Sequence, residues 1–206
     1  MNIALIHSGV AGTVECYADD ALHHYRVERI GRLWRPCFAD DDVVLVPNGA
    51  NHHALFEARA SLHEFVARGG ALLCFCGFFM PWLPGLRWRH DYRHPLRDVS
   101  YHLINDTLGL FDGVSAHELC VDEHGLRGGW ACGEILDAPE HSVVLRDNFQ
   151  RVLMVADQRS HAGLVIATAS GPLFDDQGGT AARGARRVYR NILRACRNHH
   201  EARNGG

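Results

Sequence analysis

"GGALLCFCGFF", residues 69–79, is the stretch whose reading decides the fold. Residues 71 to 76 form an unbroken apolar run. That is the length and character of a strand covered on both faces, and it follows a double glycine of the kind that stops a helix. Free cysteine most often ends as a small hydrophobe in a core. Cys76, at the end of the run and just before Gly77, raises the alternative of a nucleophile held at a strand tip. Cys74 lies two residues earlier and so shares a face with it.

Working outward from this run, residues 53–68 carry Leu55, Phe56, Leu62, Phe65 and Val66 at helical spacing, and Gly69-Gly70 ends the helix. Before it, "DDVVLVPNGAN" predicts a buried strand, Val43 to Val46, closed by a Pro-Asn-Gly turn. The N-terminal "NIALI" predicts another such strand. It opens through the glycine-bearing "HSGVAGT" into a helix with Thr13 as cap and Val14, Tyr17, Ala18, Ala21, Leu22 and Tyr25 on its apolar stripe. A short strand is expected near "YRVERI". Strands alternating with helices across short turns point to an α/β, flavodoxin-like three-layer sandwich with a mostly parallel sheet and helices on both faces.

The middle of the chain is less regular. "MPWLPGLRWRHDYRHPLRD" holds three prolines, two tryptophans and an Arg/His series, and reads as a long loop over the sheet. "VSYHLINDTLGLF" has weak helical spacing, whereas "HELCV", "HSVVLRD", "RVLMVAD" and "GLVIATAS" read as strands. "RVLMVADQRSHAGLVIATA" predicts a hairpin. A last helix is expected over about 180–197. One domain, residues 1–198, and a frayed tail, 199–206, follow.

Composition limits the function. With 206 residues, 47% hydrophobic and 22% charged, the chain has the composition of an ordinary globular domain. Its 21 Lys and Arg nearly balance 24 Asp and Glu, so no global field draws it to nucleic acid or an anionic membrane. The N-terminus shows no basic leader or long apolar segment, which makes a cytoplasmic location the expectation. Seven cysteines without framework spacing read as reduced thiols. Despite 15 histidines, no helical HxxxH, CxxC or facial-triad spacing is present, so neither a metal nor another cofactor is expected. A small-molecule substrate or ligand is the expected partner, and a homodimer stays open.

In an open α/β sheet, ligands gather at the carboxyl ends of strands, where the turns at Gly49 and Cys76 are both expected. The Gly69-Gly70 pair, the strand and a cysteine six residues past the second glycine resemble the class I glutamine amidotransferase-like superfamily. The resemblance is greatest to its smaller members, similar to the biotin-protein-ligase N-terminal domain and to ThuA-like proteins. It covers roughly the first 80 residues and the order of elements. It implies that Cys76 is the nucleophile on a tight elbow, followed by a helix whose N-terminus lowers the thiol pKa. It also implies that the N–H groups of Gly49 and Gly77 stabilise the oxyanion of a tetrahedral intermediate.

Two departures are visible. Cys74 and Phe78 stand where the family's elbow has glycines, and "VIATASGPLFDD", at the place of the family's His-x-Glu pair, contains no histidine. The triad is incomplete. His7 and His52, both following strands on the presumed ligand edge, are the leading substitutes, with His53 and His161 behind them. Asn48, Asn51, Phe78, Arg89 and Ser170 are the candidate substrate contacts. Cysteine-dependent hydrolysis or transfer of an amide or acyl group is therefore expected, with a non-catalytic binding module that keeps the sheet-edge pocket as the alternative.

Overall fold

Five strands lie side by side and parallel, each separated from the strand before it in the parallel set by a connection long enough to cross back over the sheet. Residues 1–18, 23–31, 34–91, 93–120, 131–169 and 179–205 are described by the computed structural model. The strands are β1 (Asn2–His7), β2 (His24–Arg29), β3 (Val43–Val46), β4 (Ala71–Phe75), β5 (Arg87–His90), β6 (Tyr101–Leu103), β7 (Gly133–Leu136), β8 (Val143–Asp147), β9 (Val152–Asp157) and β10 (Leu164–Thr168). Eight of them form one sheet in the order β2-β1-β3-β4-β10-β9-β8-β6, and β5 pairs with β7 in a separate ribbon.

The expected flavodoxin-like, mostly parallel sheet is corrected to a mixed one. β2, β1, β3, β4 and β10 run parallel, while the β10/β9, β9/β8 and β8/β6 pairings are antiparallel. The cause is connection length: residues 148–151 and 158–163 are too few for a crossover, so they join antiparallel neighbours. The hairpin expected over 151–169 is present as β9 and β10.

Helix α1 (Thr13–Tyr17) is shorter than its apolar stripe suggested. Tyr25 belongs instead to β2, in register with Ile3, so pairing along the edge of the sheet overrides the local period. Gly12, at φ 77°, occupies the cap position expected of Thr13. The next helix is in two pieces, α2 (His52–Glu57) and α3 (Arg59–Ala67). Asn51 caps α2, its Oδ1 accepting the Ala54 N–H at 3.1 Å. After α3 the chain reverses at Gly69, φ 95°, where the N–H groups of Gly69 and Gly70 bond to the carbonyls of Val66 and Phe65.

"HELCV" does not form the expected strand; Ala116–Cys120 is a 3-10 turn. The weak helical spacing of 99–111 gives β6 followed by a turn in which the Asp106 carboxylate accepts the N–H groups of Leu110 and Phe111, both at 2.7 Å. The Arg/His loop contains β5, an element its irregular composition concealed. The last helix, α4 (Gly179–Asn204), extends past the end expected for it, into the tail expected to fray. Its Val188, Tyr189, Ile192, Leu193 and Cys196 are buried. Tyr189 meets Tyr17 and Phe75 edge-on at 5.4 and 6.0 Å, which ties α1, β4 and α4 into one core. No helix among the described residues is long and apolar enough to cross a membrane.

Candidate active site

β3 and β4 pair in parallel with Val46 opposite Cys74, so the turn at 47–51 and the segment leaving β4 at Cys76 emerge on the same edge of the sheet. That geometry delivers His52, the first residue of α2, to Cys76. Both are buried, and the His52 Nε2 lies 4.0 Å from the Cys76 Sγ, the long end of a hydrogen bond to sulfur. On its other side the ring is fixed by Trp82, fully buried, whose indole N–H donates to His52 Nδ1 at 3.0 Å. The Trp82 carbonyl is held in turn by His63 Nε2 at 3.0 Å, a residue about three helical turns beyond His52. The ring of Phe79 lies 4.5 Å from that of His52, with most of Phe79 open to solvent.

Cys74 completes the cluster, its sulfur 3.6 Å from that of Cys76. The thiol of Cys76 is lowered to about 6, chiefly by the hydrogen bond from Cys74, against the opposing effect of burial and with help from His52. Cys74 moves the other way, raised by burial and by its neighbour's charge. Burial, followed by the nearby Cys76, also raises the Tyr17 hydroxyl.

The solved structures supply a frame for this edge. No protein-family model matches the chain, and no curated protein matches it in sequence. A Thermoplasma acidophilum protein provisionally described as one of the subunits of GMP synthase has a similar crystal structure, with a TM-score of 0.62 and 12% identity, covering 99% of this chain and 98% of that one. The two chains share a fold, glutamine amidotransferase-like by structural similarity. An identity of 12% carries the architecture alone.

Within this glutamine amidotransferase-like fold the local geometry around Cys76 differs from the expected elbow. No helix follows Cys76; residues 77–86 are irregular, and Pro81 and Pro84 disfavour helix there. Among the described residues only Asp137 and Gln150 are non-glycine positions with positive φ, so Cys76 is not on a strained turn. The lowered thiol therefore owes nothing to a helix following it in sequence.

The proposed oxyanion donors occupy crowded places. Gly49 has φ 80°, and a Cβ there would lie 2.7 Å from a Val10 methyl. A Cβ on Gly77 would lie 2.6 Å from the Trp88 ring, which is anchored by its N–H to the Ala169 carbonyl at 2.6 Å.

Of the other expected contacts, His52 alone reaches Cys76. His7 ends β1, with β3 lying between it and β4, and its Nδ1 is buried with no hydrogen-bond partner among the described residues. His53 is exposed on α2. His161 lies in the turn entering β10, at the sheet edge opposite Cys76, because β10 runs parallel to β4.

Asn48 is exposed on its turn, whereas Asn51 is committed to capping α2 and its own N–H donates to the Ser8 hydroxyl. Phe78 is buried against Trp82, ring centroids 6.3 Å apart, and lies in the core, while its neighbour Phe79 faces solvent. Arg89, expected to hold an anionic substrate group, pairs with Glu134 across the β5/β7 ribbon; Arg87 pairs with Asp137, and Arg93 with Asp91 at 2.8 Å. Ser170 lies outside the described residues.

Trp82, Trp88 and Phe79 are the residues that sequence reasoning missed. All three fall in or beside a segment without periodicity. The helical interval between His52 and His63 was the one available sign that two histidines face the same neighbour.

Proposed function

We propose that this protein is a cysteine-dependent acyl- or amide-transferring enzyme of glutamine amidotransferase-like build, with Cys76 as nucleophile and His52 as its partner. The observation that carries the reading is the approach of His52 Nε2 to Cys76 Sγ at 4.0 Å, beside a second thiol that favours the ionised sulfur. A buried thiol is ordinarily held neutral by desolvation; a thiolate supported by two donors is the form that attacks a carbonyl. Gly49 and Gly77, on the same edge, are the amides best placed to serve a developing oxyanion. Glutamine is the first amide to test, because the structurally similar archaeal protein is described as belonging to a GMP synthase.

Limited iodoacetamide at neutral pH followed by intact-mass and peptide analysis tests the reading. Cys76 is expected to be labelled ahead of the other six thiols, with turnover of acyl donors abolished in Cys76→Ala. Labelling of Cys76 no faster than that of exposed Cys37, with activity intact in Cys76→Ala, would remove it.

A second reading is a binding module that keeps the pocket without chemistry. It is favoured by the lack of any histidine in "VIATASGPLFDD", where the family has its His-x-Glu pair, and by the burial of Cys76, 1% exposed. Ligand-induced thermal stabilisation by glutamine, amides, sugars or nucleotides, without turnover and unchanged in Cys76→Ala, is its signature.

A further inference from the structure

The direction of the hydrogen bond between Trp82 and His52 determines what the histidine can do. An indole nitrogen only donates, so His52 Nδ1, 3.0 Å from it, must present a lone pair. In the neutral ring the single proton then sits on Nε2, the nitrogen facing Cys76 Sγ. A ring in that state donates to a thiolate and cannot accept the proton of a thiol. Taking up a proton would place a second N–H on Nδ1, head-on against the indole N–H of a fully buried tryptophan.

The usual catalytic histidine has the reverse arrangement, with an acceptor behind it that favours the imidazolium. Here no carboxylate hydrogen-bonds or ion-pairs with His52 among the described residues. The groups that face the pair are Cys74 and Tyr17 on the sulfur side, and Trp82 and the Phe79 ring on the imidazole side.

We infer that Trp82 is a positioning residue that locks His52 as an Nε2–H donor, and that the site therefore takes acyl groups whose leaving group departs without a proton, thioesters rather than amides. The inference rests on Cys76 being the nucleophile.

The Cys76 thiolate adds to the thioester carbonyl carbon, forming a C–S bond and an oxyanion. Collapse of the oxyanion breaks the original C–S bond, and its electron pair leaves as a free thiolate that takes a proton from water. The acyl group remains on Cys76, and a second thiolate reverses the same steps to carry it away. With an amide the leaving nitrogen must be protonated as it departs. His52 has no proton to give without becoming an anion, so the better leaving group, Cys76 itself, is expelled and the amide is returned.

Two measurements decide this. In protein labelled with 15N-histidine, long-range proton–nitrogen spectra at pH 8 are expected to show His52 with Nδ1 unprotonated and Nε2 protonated. The signals are assigned by their loss in His52→Gln. In Trp82→Phe the Nδ1–H form should appear. The wild-type spectrum alone is sufficient if that variant does not fold, and an imidazolium or Nδ1–H form in the wild type at pH 8 overturns the lock.

The second measurement compares acylation of Cys76, by intact mass, using acetyl-N-acetylcysteamine and glutamine. Since a general acid is worth roughly 10²–10⁴-fold, the thioester should label at least about a hundredfold faster. Comparable labelling by the two donors overturns the inference while leaving Cys76 a nucleophile. Labelling by neither overturns the acyl-transfer reading, and the assigned substrate class falls with it.

Discussion

Cys74 and Cys76 bring their sulfurs to 3.6 Å of one another where β4 ends, and the two thiols are driven in opposite directions. Two adjacent thiolates would repel in a buried place, so one sulfur ionises while the other keeps its proton and donates it as a hydrogen bond. Cys76 is the one that ionises, because His52 adds a second donor on its side.

The rate of Cys76 alkylation follows the thiolate fraction, so it should rise through a midpoint of about 6 and level off at higher pH. Cys74→Ala removes the larger of the two stabilising donors and should move the midpoint up, towards the ordinary thiol range near pH ~8.5. Cys74→Ser restores a donor and should hold it low. Rate against pH, read by peptide mass spectrometry for the three proteins, checks the order; a midpoint unmoved in Cys74→Ala would assign the effect elsewhere.

Trp88 is wedged between two glycines. A Cβ on Gly77 would lie 2.6 Å from its ring, and Gly133 is just as tightly opposed from β7. Gly77→Ala should therefore push the indole off the Ala169 carbonyl and cost about 1–3 kcal/mol, the usual penalty for overpacking. Urea denaturation gives the loss. Trp88→Phe combined with Gly77→Ala should cost less than the sum of the two single changes, since the smaller ring leaves room for the methyl.

Arg151 and Asp147 form an ion pair at 2.6 Å with 3% and 0% of their side chains exposed, where the β8/β9 turn meets the segment leaving β5. Asp91, its carboxyl held well below the usual range by Arg93, stands 3.5 Å away on the other side of the guanidinium. Removing one charge strands the other, so Asp147→Ala should cost roughly 3–5 kcal/mol. Replacing the pair together by Asp147→Leu and Arg151→Met should cost much less, a comparison that equilibrium unfolding resolves.

The inner strands of the parallel half, β1, β3, β4 and β10, were legible because each is a continuous apolar run with a glycine or proline close to one end, and the Gly69-Gly70 stop fixed where β4 begins. The β9/β10 hairpin was legible for the same reason. What escaped depends on pairing between distant segments. Tyr25 fits a helical stripe until β1 claims it for the sheet edge, and β5 has no apolar period because its partner β7 supplies half the contacts. The site was half visible. Cys76, Gly49 and His52 share an edge by topology, but the donor that orients His52 is a tryptophan between two prolines, and nothing in its local sequence indicates which way its N–H points.

Cys76 is 1% exposed, whereas Phe79, three residues on, is 63% exposed and leans over the His52 ring at 4.5 Å. Among the described residues Phe79 is the exposed aromatic side chain that lies against His52, so a reagent is expected to approach the sulfur past it. Because Phe79 is not part of the packed interior, its truncation should change stability by no more than about 0.5 kcal/mol. Phe79→Ala should thus raise the plateau alkylation rate of Cys76 several-fold without moving the pH midpoint, since both hydrogen-bond donors to the sulfur, Cys74 and His52, are kept. A larger side chain, Phe79→Trp, should lower the plateau and again leave the midpoint alone. The two observables separate access from activation: a plateau indifferent to both substitutions would mean that entry occurs elsewhere, and a shifted midpoint would mean that the Phe79 ring helps to set the state of His52.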